Sequence, residues 1–553
     1  MTLKNAKQYR FTDGILLLSL LWTGGFYEYI SCILSAAMSI WLLIRLVRGK
    51  QLQVRKDLLT SAVVAVSFGY GLSCFWAVDP GMAFIGFLKF LPLFLYLLCL
   101  QQEEGTVPES LPCFGAILTA LSAIGMQIPP IRALFAVAGR LAGTFQYPNS
   151  FAVFLLVCEL LLLKKAGKKL WDYIILAVLL AGFLYTGSRT ALIVAVLANL
   201  ALLLTMTRKK TRWIALAAMG GVCTVGLLLA LPRESVLHRY LTISFAESTF
   251  VGRILYWTDA LKLLLKHPFG MGYMGYFYTQ QSIQTGVYSV SYIHNDFLQL
   301  ILDIGWVPAG LFIGALVSWF CKKTVPIADK IIAGAICLHS FFDFDLQFVG
   351  VFFLLLLLLS REKTDKILTV KPRLPLKLSL GAAALAGLYL GAALTVGSMG
   401  NLPLSDKLYP YNTQNKLDML EQEKDLEQAN ALADSILKQN TDYYAPYAIK
   451  TRYCYTQGDF GGVIENAHAA LDRNPFDHLA YEDCCKMLLR GMVLYQEAGS
   501  AESAEVCRKE VLAIYQQFLF NKDRLSKLGK MIDDQPVLTL SPELTASIRA
   551  LEK

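Results

Sequence analysis

Apolar runs long enough to cross a bilayer recur along the first 400 residues, separated by short polar stretches, and then stop. Runs of roughly 18 or more apolar residues can span the hydrocarbon core as helices. About thirteen such segments are predicted, near 12–25, 28–47, 58–76, 82–100, 109–127, 148–163, 170–186, 189–206, 213–231, 296–320, 326–343, 346–360 and 376–397. Gly24 and Gly25 leave the first of them short. Beyond Met399 the chain reads like an ordinary water-soluble helical protein. The predicted fold is all-α: a polytopic transmembrane bundle over 1–400, then a separate soluble domain over 401–553.

Charge turns this pattern into a topology. Only 17% of residues are charged, against about a quarter in soluble domains, and mean hydropathy is +0.47. The net charge of +9 is concentrated between apolar runs. One cluster holds Arg45, Arg48, Lys50, Arg55 and Lys56, and another Lys164, Lys165, Lys168 and Lys169. Arg208, Lys209, Lys210 and Arg212 form a third, and Lys322 and Lys323 a fourth. The last runs from Arg361 to Lys377. Basic loops stay cytoplasmic, so the surplus is assigned to membrane orientation and not to nucleic acid. With the N-terminus inside, the count places all five clusters in the cytoplasm. It leaves 129–147, 232–295, a turn near Phe344 and everything after Met399 outside. No cleavable signal peptide is expected, because a second apolar run closely follows the first.

Two stretches stand apart. Residues 232–295 form the only long connection in the membrane part, mixing aromatic and apolar residues with Arg and His. Short amphipathic helices on the outer face are predicted there, and long ordered connections are more often functional than idle. In the tail, Ala433, Leu437, Asn440 and Tyr447 recur 34 residues later as Ala467, Leu471, Asn474 and Tyr481. That period resembles tetratricopeptide repeats, whose helix pairs bury a shared core by stacking. The 12 cysteines are scattered without metal-ligand spacing, and a disulfide in the tail is left open.

Ionisable residues at membrane level are costly and are functional candidates by default. Four are predicted on the outer side. Arg140 opens Arg-Leu-Ala-Gly-Thr-Phe-Gln-Tyr-Pro-Asn, ending at Asn149, and Arg189 sits in Thr-Gly-Ser-Arg-Thr between two spans. Arg253 opens Arg-Ile-Leu-Tyr-Trp in the long loop, and His294 stands with Asn295 where that loop re-enters the membrane. Guanidiniums bind phosphate through planar, charge-assisted hydrogen bonds. A His titrating near neutrality can take a proton from an attacking hydroxyl. Together they suit displacement of a diphosphate leaving group. No metal cluster and no cofactor signature accompanies them. Taken singly, an Arg at a helix end snorkels to headgroups and an interfacial His packs structurally. His267 and His339 are read that way. Asp343 and Asp345 either support the site or cap a helix, and Asp303-Ile-Gly305 reads as a packing kink with a satisfied carboxyl.

At these residues the chain resembles the O-antigen ligase and polymerase family over roughly 60–360. The matching pieces are Arg140 to Asn149, Ser188-Arg189, Arg253 with Trp257, Pro268-Phe269-Gly270-Met271-Gly272, and His294-Asn295 with Leu298-Gln299. Asp303 departs from the pattern, standing where relatives often have Glu. The resemblance implies a metal-independent fold related to the C class of membrane glycosyltransferases, in the bacterial cytoplasmic membrane. The donor would be a glycan on undecaprenyl diphosphate and the acceptor a sugar hydroxyl of a glycan or lipid-linked saccharide. Carried over by position, Arg140, Arg189, Asn149 and Asn295 would bind diphosphate or sugar, and Arg253 and His294 would be catalytic. The tail lies outside the shared core and would engage an envelope protein or the growing glycan. Two rival classes are a small-solute transporter, as for inorganic carbon, and a membrane scaffold presenting the repeat domain. A transporter would place its charges near the bilayer midplane, whereas these sit at the outer edge.

Overall fold

A computed structural model describes residues 10–103, 107–165, 169–205, 236–242, 244, 247–361, 366–533 and 535–552. The described residues are mostly α-helical. Helices occupy the apolar runs: Phe11–Leu21, Glu28–Val47, Leu58–Ser73, Pro80–Leu100, Leu111–Gly125, Pro148–Lys164, Leu170–Tyr185, Arg189–Thr205, Ile327–Ser340, Val349–Leu359 and Leu374–Ser398. Among the described residues three are long and apolar enough to cross a membrane by themselves, namely Glu28–Val47, Pro80–Leu100 and Leu374–Ser398. Several others are apolar but shorter. The segment predicted at 213–231 and the cluster from Arg208 to Arg212 lie outside the described residues.

One predicted span is two helices. The run 296–320 breaks into Asp296–Ile304 and Trp306–Cys321 at Gly305, whose φ of +84° is open to glycine at no steric cost. Just before the break, Asp303 is fully buried and accepts hydrogen bonds from Tyr70 Oη and Gln299 Nε2, both at 2.8 Å. Its carboxyl is satisfied and the chain kinks there, as the sequence indicated.

The chain divides into two compact units. The first comprises Met1–Leu72, Ile85–Ser244 and His294–Thr395. Its helices approach closely where residues are small. A methyl group on Gly387 would lie 2.6 Å from the Cys32 carbonyl oxygen, with Ala36 alongside, so Leu374–Ser398 lies flush against Glu28–Val47. Lys89, with no exposed surface, is neutralised by Glu28 at 3.1 Å and stands 4.9 Å from the Phe26 ring centroid. A short antiparallel ladder joins Leu52–Arg55 to Ile367–Val370.

The second unit comprises Ser73–Phe84, Phe245–Ile293 and Val396–Lys553. Helices form in the long connection as expected, at Ser248–Lys266 and Gly275–Ile283. In the tail, aspartates cap three helices: Asp425, Asp459 and Asp477 accept from backbone N–H groups at the starts of Leu426–Leu437, Phe460–Arg473 and His478–Glu497. Ala433 and Ala467 are both fully buried, each in one of these helices. The tail's four cysteines are free thiols.

Candidate active site

A two-residue hairpin positions Arg140. Strands Ala136–Val137 and Arg140–Leu141 pair across Ala138 and Gly139, both at positive φ (+49° and +74°), the pairing that lets a tight turn follow the strand twist. Arg140 is the first residue after the turn, and its guanidinium spans two anchors. Nε donates to the Thr186 carbonyl at 2.7 Å, and Nη2 to Asn149 Oδ1 at 2.6 Å. Those bonds use two of the five N–H groups of the fork. Burial first, and the neighbouring Arg239 cation second, push its pKa down to about 10. It is still a cation at neutral pH, held where positive charge is disfavoured and an anion would be welcome.

Arg189 begins the helix Arg189–Thr205, and its Nε donates to the Arg239 carbonyl at 2.8 Å. Between the two arginines Gly187 takes φ +60°. A Cβ there would lie 3.0 Å from Val236 Cγ1, 3.4 Å from Arg239 Cδ and 3.5 Å from Arg140 Nε. Tyr240 closes this corner, donating to the Leu184 carbonyl at 3.0 Å, and its burial pushes the phenol up to about 12. Arg140, Arg189 and Arg239 thus belong to one corner of the first unit.

A second group of side chains is built on Asp343, which has no exposed surface. Its carboxylate collects four donors: Tyr147 Oη at 2.8 Å, Asn149 Nδ2 at 2.8 Å, the Phe344 N–H at 3.0 Å, and His294 Nδ1 at 3.2 Å. Asn149 therefore links the two halves, accepting from Arg140 and donating to Asp343. The rings of His294 and Tyr147 both rest on Phe344, His294 edge-on at 5.0 Å and Tyr147 stacked at 4.6 Å. Hydrogen bonding of Nδ1–H to a carboxylate selects the tautomer whose basic lone pair is on Nε2.

His294 carries a further mark. Its φ is +53°, a left-handed conformation that an ordinary side chain adopts only when its surroundings impose it. The next residue, Asn295, starts the helix Asp296–Ile304, its Oδ1 accepting from the Leu298 N–H at 3.0 Å. That capping bond uses Oδ1 of the side chain that sequence reading assigned to sugar or diphosphate. Asp296 then accepts from the Leu346 N–H at 2.7 Å, tying this helix start to the turn that bears Asp343.

A deeper pair backs the turn. His339 Nδ1 stands 2.6 Å from Asp345, both fully buried, and Ser150 Oγ donates to the same carboxylate at 2.7 Å. His339 is structural, as the sequence suggested. Asp343, left undecided between support and cap, is the centre of the network.

Arg253 and Trp257 lie in the second unit on the helix Ser248–Lys266. Trp257 Nε1 donates to the Ile293 carbonyl at 3.0 Å, fixing the residue before His294. Sequence reading missed Arg239 and Tyr147. Arg239 had only its setting in the basic, aromatic loop to mark it, and Tyr147 only its place between Arg140 and Asn149.

The first unit therefore presents apolar helices of membrane type with a cation-rich, His-containing network among them. Residues 174–313 match the family described as O-Antigen ligase, a stretch that includes Arg189, Arg253, His294 and Asn295. That match supports a general role in joining glycans at a membrane. No curated protein matches, and no solved structure does.

Proposed function

We propose that this protein is a membrane glycosyltransferase that moves a glycan from undecaprenyl diphosphate to a sugar hydroxyl at the outer membrane face, polymerising or ligating a cell-surface polysaccharide. The observation that carries this reading is the continuous chain Arg140–Asn149–Asp343–His294, which links an anion-seeking cation to an oriented imidazole. In the proposed reaction the acceptor oxygen bonds to the anomeric carbon as the bond from that carbon to the diphosphate oxygen breaks. The hydroxyl proton passes to Nε2 of His294, and the departing electron pair stays on the diphosphate. Arg140 and Arg189 meet the charge that develops there, which is where preorganised donors accelerate reaction most. Asp343 holds the imidazole in the competent tautomer and stabilises the imidazolium that forms, as carboxylates do in other His-based sites. Attack opposite the leaving group inverts the anomeric centre.

Arg253 is proposed as a further donor-binding and catalytic cation, on its sequence motif and its place inside the matched stretch. No metal or cofactor enters this scheme. The proposal includes the topology read from the basic clusters, with about thirteen spans, the N-terminus in the cytoplasm and the tail outside the cytoplasmic membrane. It also includes a tetratricopeptide-like character for the tail's helix pairs. The test is surface-glycan length and amount in cells carrying His294→Ala, with membrane expression measured alongside. Lost or single-unit glycan at normal protein level is expected, and unchanged glycan overturns the catalytic role of His294.

A further inference from the structure

The tail does more than follow the membrane part: its residues 526–533 and Gln535 are built into the connection that bears Arg253. Gln535 pairs with Val287 twice, accepting from its N–H and donating to its carbonyl, both at 2.8 Å. The Ser526 N–H donates to the Thr285 carbonyl at 2.8 Å, and the Asp533 N–H to Ser248 Oγ at 2.8 Å. Between these bonds the two backbones touch at a pair of glycines. A Cβ on Gly286 would lie 2.6 Å from Gly529 Cα, and one on Gly529 would lie 2.6 Å from the Thr285 carbonyl oxygen. Neither position accepts a side chain without separating the two strands of chain. Val287 packs against the apolar core of the tail, which includes Leu538, Leu540 and Leu544.

The contact passes directly to the Arg253 helix. Asp259, less than two turns beyond Arg253 on Ser248–Lys266, accepts from the Thr285 N–H and Oγ1 at 2.9 Å and from Tyr288 Oη at 3.2 Å. Leu255 of the same helix lies against Gly286, and Ser248 at its start takes the bond from Asp533. The helix is thus held at its first residue and at its middle by elements that the tail grips.

We propose that residues 526–533 and Gln535 form an intramolecular clamp that positions the Arg253 helix, so that glycan transfer depends on the tail through Arg253. Gly529 and Gln535 are positioning residues. The functional half of this proposal rests on the assignment of Arg253 to the donor. The clamp itself does not.

The test uses the full-length protein in detergent or nanodiscs, with Gly529→Val as the strong variant and Gln535→Ala as the mild one. Hydrogen exchange is followed over 248–266 and 283–290 and, as a control for folding, over 460–523. Faster exchange in the first two stretches with the third still protected is expected; unchanged exchange over 248–266 overturns the clamp. In transfer assays with a lipid diphosphate-linked glycan, KM for the donor should rise about tenfold, the scale of one charge-assisted contact, with KM for the acceptor unmoved. The double variant Gly529→Val with Arg253→Ala should be no worse than Arg253→Ala alone, because both act through one side chain. Losses that multiply overturn action through Arg253. Full transfer by Arg253→Ala alone refutes the donor assignment, and the exchange data then decide the clamp independently.

Discussion

Asp343 Oδ1 lies 3.2 Å from His294 Nδ1, while the other oxygen of the same carboxylate accepts from Asn149 at 2.8 Å. One buried group therefore sets both the tautomer of the imidazole and the amide that pairs with Arg140. The expected consequences are separable.

Asp343→Asn keeps the volume and loses the charge. An amide oxygen can still accept from His294 and Tyr147 but cannot stabilise an imidazolium, and its NH2 then opposes the Asn149 donor. Transfer should fall about 100-fold or more at little change in acceptor KM, within the usual range for disabled general acid–base catalysis. Single-turnover transfer by purified protein checks this.

Arg140→Lys should be a poor substitute, and worse as pH rises. Lys cannot hold the Thr186 carbonyl and Asn149 Oδ1 in one planar fork. The same burial and Arg239 repulsion that lower Arg140 to about 10 would act on an amine that starts lower than a guanidinium and push it down further. A base whose pKa is depressed loses its charge as pH climbs through the lowered value. Activity of the Lys variant should therefore decline as pH rises, at values where the parent stays level. A pH profile of donor KM reads it out.

At His294 stability and activity should part. With φ at +53°, glycine relieves a backbone conformation that a side chain opposes by about 1 kcal/mol. His294→Gly and His294→Ala should both abolish transfer, yet the Gly variant should be the more stable by about that amount, seen as a higher melting temperature.

Gly187→Ala tests the arginine corner without touching a charge. Its φ of +60° and the 3.0 Å approach to Val236 Cγ1 leave no relaxed place for a methyl group. A loss of about 1–2 kcal/mol in stability is expected. Weaker binding of inorganic pyrophosphate should accompany it, because Arg239 and Arg140 are the next atoms in line. Calorimetric titration with pyrophosphate measures the second effect.

The sequence by itself determined the helices, the kink at Gly305 and the identity of most of the cations, because apolar run length, glycine and isolated intramembrane charge are local signals. It placed Arg140, Asn149, Arg189 and His294 as candidates, and the first unit holds all four. The tertiary structure alone decided how they are joined. Asp343 is 49 residues from His294 and 194 from Asn149, and Gln535 is 248 from Val287. No periodicity registers pairings at such separations. They exist only after the helices have packed and buried donors and acceptors must find partners in whatever neighbour the packing supplies. For the same reason the helix-capping bond of Asn295 was not legible from its motif, and Asp343, read as either site support or a helix cap, shows its four donors only in the folded chain.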